Sequence, residues 1–171
     1  MKTIGRPKEG DYPRGHQTYV DEAVGNTLAE AFRHATEEEQ RIIARVGDKW
    51  EYRYAPGKWT IKESFQHIID IERAFSFRAF AFARGEKADL ADMNEDAYQA
   101  EARTGIRKVE DVLRELKAVR SSTVELFDGL DDQALAQSGT VLGRRSTVPA
   151  VGWVIAGHSE HHLRVIRERY L

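Results

Sequence analysis

Apolar residues recur along most of this chain at intervals of three and four, the spacing that lines one face of an α-helix. In "GNTLAEAFRHATEEEQRIIARV" the recurring positions are Leu28, Ala31, Phe32, Ala35, Ile42 and Val46. Thr27 with Glu30 three residues on opens this first helix as a capping box, and Asn26 is a competing cap. Pro56 and Gly57 mark a loop in "GDKWEYRYAPGKWT". Thr60 then caps a second helix, with Glu63 at the matching position, and the pattern stops at Gly85. Its apolar face (Ile61, Phe65, Ile68, Phe75, Ala79 and Phe82) is broader than one neighbouring helix requires.

"EKADLADMNEDAYQAEARTGIRK" is polar and acidic with weak periodicity, which predicts a long, partly helical crossover. A third helix follows in "VEDVLRELKAVRSSTVELFDGL", with Val109, Val112, Leu113, Leu116, Val119 and Val124 facing inward and Gly129 at its end. "DDQALAQSGTVLGRRS" predicts a polar loop. Thr147 caps a fourth helix that tolerates Pro149 in its first turn. Four helices with one long connection between the second and third predict an all-α four-helix bundle. Short links make the first pair and the last pair antiparallel, and the crossover lets helices two and three run parallel. The 171 residues suit a single domain spanning 1–171.

Composition narrows the chemistry. With no cysteine, thiolate nucleophiles, disulfides and sulfur-held zinc are excluded. A formal net charge of −2 gives no electrostatic reason to expect nucleic acid or an anionic membrane as partner. Arg164, Arg167 and Arg169 read as a solvated outer face. The polar opening "MKTIGRPKEGDYPRGHQ" lacks the apolar core of a signal peptide, and Ser146 to Ser159 is too short and glycine-broken to span a bilayer. A cytoplasmic protein is the expectation.

Three of the six histidines lie in "GWVIAGHSEHHLRVIRERYL". Val148, Val151, Ile155 and Ile166 define the apolar stripe of the fourth helix, and His158 and His162, four apart, fall within it. His161 falls to one side. Two imidazoles on a core-facing stripe either hold a metal between them or are neutral, hydrogen-bonded core residues. A third ligand is available on the second helix in His67, or on the first in His34 beside the "TEEE" run; Glu63, Asp70 and Glu72 are carboxylate alternatives. Arg73 and Arg120, inside apolar patterns, are expected to pair with carboxylates such as Glu72.

"PGKWTIKESFQHIIDIERAF" followed much later by "VGWVIAGHSEHHLRVIRERYL" resembles the DinB-like family of four-helix-bundle proteins. Similar proteins open the second helix with Trp-Ser/Thr, carry a His about one and a half turns later, and end with H-x-x-x-H on the last helix. The likeness extends over nearly the whole chain, including "AVR" in the third helix and "NEDAY" in the crossover. It implies a divalent metal, commonly nickel or zinc, held by His67, His158 and His162; His161 and His34 match no ligand position. It also implies frequent homodimers. Two activities follow from the resemblance: thiol S-transfer with bacillithiol, mycothiol or glutathione, and metal-dependent hydrolysis.

Three imidazoles leave open positions on a metal, as catalytic sites do, and those positions suit an activated water or a low-molecular-weight thiol equally. The alternative is a non-catalytic, stress-associated dimeric bundle that binds a metal or a small molecule. Glu63 and Asp70 are candidates to orient a ligand imidazole through its second nitrogen. Trp59 and Trp153 either pack the bundle or wall the site, and Asn94, Glu95, Asp96 and Tyr98 are candidates for its mouth. Nothing in the charge pattern supports DNA binding.

Overall fold

The computed structural model describes residues 3–171. In chain order its elements are α1 (Gln17–Glu22), α2 (Leu28–Val46), α3 (Ile61–Ala83), α4 (Glu95–Glu101), α5 (Val109–Asp128), α6 (Asp132–Leu135), the strands β1 (Ser138–Val141) and β2 (Arg144–Thr147), and α7 (Val148–Arg169). The long helices α2, α3, α5 and α7 form a four-helix bundle. Their starts are chemically defined. Thr27, Thr60 and Thr147 each accept a hydrogen bond from the backbone N–H three residues on, and Thr60 with Glu63 closes a full capping box.

α7 is the hub. It packs against α1, α2 and α3, whereas α5 packs on α3. Its inward face is buried along its length, including Val148, Val151, Ile155, Leu163 and Ile166. One core cluster surrounds Trp153, Phe32, Phe82 and Phe127; a second joins Ile42, Phe65, Ile69, Leu116 and Leu163.

Two regions differ from the sequence expectation. The loop expected between the third and fourth helices holds α6 and an antiparallel hairpin, so the fold is not purely helical. Val141 pairs with Arg144, leaving a two-residue turn in which Leu142 and Gly143 both have positive φ, at 48° and 72°. Such turns favour Asn-Gly or Asp-Gly, and Leu-Gly gives little sequence signal. Residues 3–26, which carry no helical periodicity in the sequence, are docked on the bundle. Trp153 Nε1 donates to the Gly5 carbonyl at 2.8 Å, and Arg6 donates to the carbonyls of Val20, Ala23 and Gly25 at the end of α1. Arg6 thereby supplies donors and positive charge where the helix leaves carbonyls unpaired.

Between the two apolar clusters lies a buried polar junction. Arg120 of α5 meets Glu72 of α3 through its Nε (2.9 Å) and Nη2 (2.8 Å), Ser159 of α7 through Nη2 (2.9 Å) and Thr36 of α2 through Nη1 (3.3 Å). The pairing expected of Arg120 with Glu72 is therefore present. Arg73 instead lies half-exposed and pairs with Glu115. A second carboxylate, Glu39, is also buried here, 3.0 Å from Arg120 Nη2. Both hydrogens of that nitrogen already point to Glu72 and Ser159, so Glu39 Oε1 receives none.

Burial raises the Glu39 pKa from 4.5 to about 7, with the charges of Glu72 and Glu160 adding to it and Arg120 opposing. The folded chain therefore binds more protons than the unfolded chain between those values, and stability falls as pH rises through that window. Urea unfolding from pH 5 to pH 8 is expected to show wild type losing up to about 3 kcal/mol relative to Glu39→Gln. Parallel curves for the two proteins would show that Glu39 ionises as it does in water.

Candidate metal centre

His67 lies on the second turn of α3, and His158 and His162 on successive turns of α7. The α3–α7 contact brings their rings together. Ring centroids are 4.9 Å apart for His67 and His158, 4.7 Å for His67 and His162, and 4.5 Å for His158 and His162. His158 Nε2 stands 3.1 Å from Nε2 of each of the other two. His67 and His158 are both 3% exposed, so water does not solvate these nitrogens freely.

Hydrogen bonding among the rings cannot account for this arrangement. A ring nitrogen carries one lone pair or one proton, so His158 Nε2 satisfies one neighbour and leaves the other facing it. A cation taking a lone pair from each ring resolves the conflict. Zn–N bonds of roughly 2.0–2.1 Å with tetrahedral angles put ligand nitrogens about 3.3 Å apart, close to the observed spacing. Among the described residues, these three form the His/Asp/Glu group whose ligand atoms, within 4.8 Å of one another, could hold a metal ion.

The electrostatics favour the ligand form. Burial lowers the His67 pKa to about 4, against an opposing pull from Asp96. Burial and then the neighbouring His67 and His161 rings lower His162 to about 3. His158 is pushed well below the usual imidazole range by burial, then by His162 and His67. All three are neutral at neutral pH and have lone pairs free for a metal.

The surroundings separate the remaining candidates. Trp59 walls the site, its ring 4.7 Å from His67 and stacked at 6.3 Å on His162. Trp153 is buried in the core instead. Glu63 is taken up by Thr60 and by Arg53 at 2.7 Å, and Asp70 accepts from Gln66 at 3.0 Å. Those carboxylates are engaged away from the imidazoles. Glu72 belongs to the Arg120 junction. In α4, Asn94 caps the helix, Asp96 faces the cleft beside Trp59, and Tyr98 is exposed.

His161 sits at the edge, 3.1 Å from Glu22, and His34 bonds Glu160 at 2.6 Å. Arg164 and Arg167 are committed to Glu22 and Glu38 respectively. The cleft beside His162, about 340 Å³, is lined by Trp59, Asp96, Tyr54, Tyr170 and Lys58 among others.

Sequence periodicity gave no hint of Tyr19. Its ring meets His158 edge-on at 5.2 Å and His161 at 5.6 Å. Gly157 makes this possible: a Cβ there would fall 1.6 Å from the Tyr19 carbonyl oxygen. A glycine immediately preceding His158 was the available signal.

A buried set of three imidazoles on a helical bundle defines a candidate metalloprotein. The model of the DinB superfamily matches residues 44–166, and the chain belongs to that superfamily. Among proteins of curated function none is significantly similar in sequence. Among solved structures, YfiT from Bacillus subtilis, described as a probable metal-dependent hydrolase with an unusual four-helix bundle topology, aligns with a TM-score of 0.73. The two share 16% identity, over 95% of this chain and 89% of that one. No helix among the described residues is long and apolar enough to cross a membrane.

Gly157→Ala is expected to displace α1 from α7 and lower the unfolding free energy by about 2 kcal/mol or more. It should also weaken metal retention, because the edge contact of Tyr19 on His158 is lost. Thermal unfolding and metal content measured on the same preparation test this; an unchanged melting temperature would mean that the backbone yields without cost.

Proposed function

We propose that this protein is a divalent-metal-dependent enzyme, with nickel or zinc as the ion, that hydrolyses a small organic molecule. The observation that carries this reading is the convergence of three neutral, desolvated imidazole nitrogens beside a cleft. The description of YfiT as a probable metal-dependent hydrolase supports the same class.

His67, His158 and His162 would hold the ion. When bound, it supplies Lewis acidity, polarising a carbonyl or acidifying water toward a pKa of roughly 7. The imidazoles bring no negative charge, so they do not weaken that acidity as carboxylates would. Trp59, Tyr54 and Tyr170 give the cleft apolar walls for the body of a substrate, and Lys58 places an ammonium among the same lining residues. Asp96 offers a carboxylate oxygen to take up a proton. The cleft, about 340 Å³, limits the substrate to a small molecule.

The first experiment is metal content by mass spectrometry on untagged protein, beside His162→Ala. About one divalent ion per chain is expected in the wild type, and none in the variant. Zinc- and nickel-loaded protein is then screened against small esters and amides. Turnover should fall in His162→Ala by more than the roughly 10–100-fold that loss of an outer partner causes. The same ion would also acidify a thiol, so a parallel arm supplies a low-molecular-weight thiol and an electrophile. Turnover in that arm alone would replace hydrolysis with S-transfer, and absence of metal after reconstitution would reduce the histidines to core residues.

A further inference from the structure

About three turns beyond His67, α3 carries Arg78, only 7% exposed, with its guanidinium over the Phe75 ring at 4.4 Å. Arg78 lines a largely enclosed cavity of about 40 Å³. The hairpin contributes Arg144 and Ser146 to it, the turn into α1 contributes His16, and most of the remaining wall is phenylalanine and valine. Gly139 lets the hairpin sit this close to α3, because a Cβ there would fall 2.0 Å from the Phe82 ring.

Donors outnumber acceptors in this cavity. Arg78 Nη2 donates to Asp92 Oδ1 at 2.6 Å, and the other four N–H groups of the guanidinium meet no acceptor among the described residues. Ser146, also 7% exposed, makes no side-chain hydrogen bond among them. The described polar side-chain atoms that are sealed from solvent without a partner belong to Glu39, Gln99 and Thr104. Arg78 and Ser146 are not in that group, so their free groups open on the cavity they line.

Charge is unbalanced in the same direction. Asp92 is shared, its Oδ2 accepting from Arg144 Nη2 at 3.1 Å, so two guanidiniums face one carboxylate. Glu95, three residues on, is exposed and lines no part of the cavity. His16 registers the resulting field: burial lowers its pKa, then Arg78 and Arg144, with Asp92 opposing. Space for one water takes about 10–15 Å³, so the cavity admits a body of roughly three heavy atoms.

We propose that this cavity binds one small monoanion, of the size of formate, nitrate or chloride, held by the free N–H groups of Arg78 and the Ser146 hydroxyl. The anion balances the second guanidinium, and its weakly hydrated partner and apolar wall strengthen the charge-assisted bonds. The site goes beyond the hydrolase reading and needs no metal: it shares no residue with the three histidines or with the cleft beside His162.

Titration of the full-length protein in chloride-free buffer at pH 7, followed by NMR at the Arg78 Nε–H and the Ser146 amide, tests the proposal. Sodium formate, nitrate and chloride are compared with gluconate, which is too large to enter, at matched ionic strength. Saturable shifts at millimolar concentration are expected for the small anions and not for gluconate. Tighter formate and nitrate would identify a planar oxyanion as the ligand, and tighter chloride a halide, both within the proposal. Ser146→Ala is expected to weaken binding by about three- to tenfold, Arg78→Gln to abolish it, and His162→Ala to leave it unchanged. The wild-type comparison and Ser146→Ala decide the matter even if Arg78→Gln folds poorly. Shifts that never saturate or that gluconate reproduces would mean an adventitious ion only, in a cavity that holds water. That result, unchanged affinity in Ser146→Ala, or loss of binding in His162→Ala would overturn the proposal.

Discussion

The Arg120 guanidinium is bonded to groups on the three other main helices at once: Glu72 on α3, Ser159 on α7 and Thr36 on α2. Apolar packing alone tolerates small slips of one helix along another, because one buried methyl group is much like the next. A planar, five-donor group with fixed directions does not tolerate them. Ser159 adjoins His158, and Glu72 lies little more than one turn beyond His67, so the junction holds α3 and α7 in the register that brings the three histidines together. Burying such a charge is costly without good partners. Its benefit here is position rather than stability, which is the best-attested use of buried ion pairs.

That same junction leaves Glu39 short of a donor. Two carboxylates compete for one guanidinium, and the geometry awards its hydrogens to Glu72 and Ser159. The uneven division gives the bundle two chemically different interiors. At the histidine end, desolvation keeps three bases neutral and their lone pairs available. Between α2 and α5, desolvation keeps an acid close to its neutral form. One physical effect, the removal of water from ionisable groups, has opposite consequences for bases and acids.

Much of this was legible in the sequence. Thr27, Thr60 and Thr147 announced the helix starts, because capping is decided within four residues. The inward placement of His158 and His162 followed from the stripe they share with Ile155 and Ile166. His67 joined them through resemblance, since its position at the margin of an apolar face did not by itself single it out. The hairpin escaped notice because Leu142-Gly143 carries no strong turn signal. The docking of α1 escaped because six residues are too few for a periodicity, and its cause, Gly157, acts through space. Glu39 could not have been found at all: its want of a donor depends on how Arg120 spends its hydrogens among residues far apart in sequence.

The arrangement also has a consequence for how the protein folds. His67 and His158 are 91 residues apart in sequence, and Tyr19 belongs to a helix that closes on α7 from still further away. Contacts of that span cost loop-closure entropy and form after local helices have already appeared. The helices can form from local contacts alone, whereas the three-histidine cluster exists only once α3 has docked on α7. Before that docking only His158 and His162 stand together, on one helix, so the set of three is a property of the tertiary fold and of no single element.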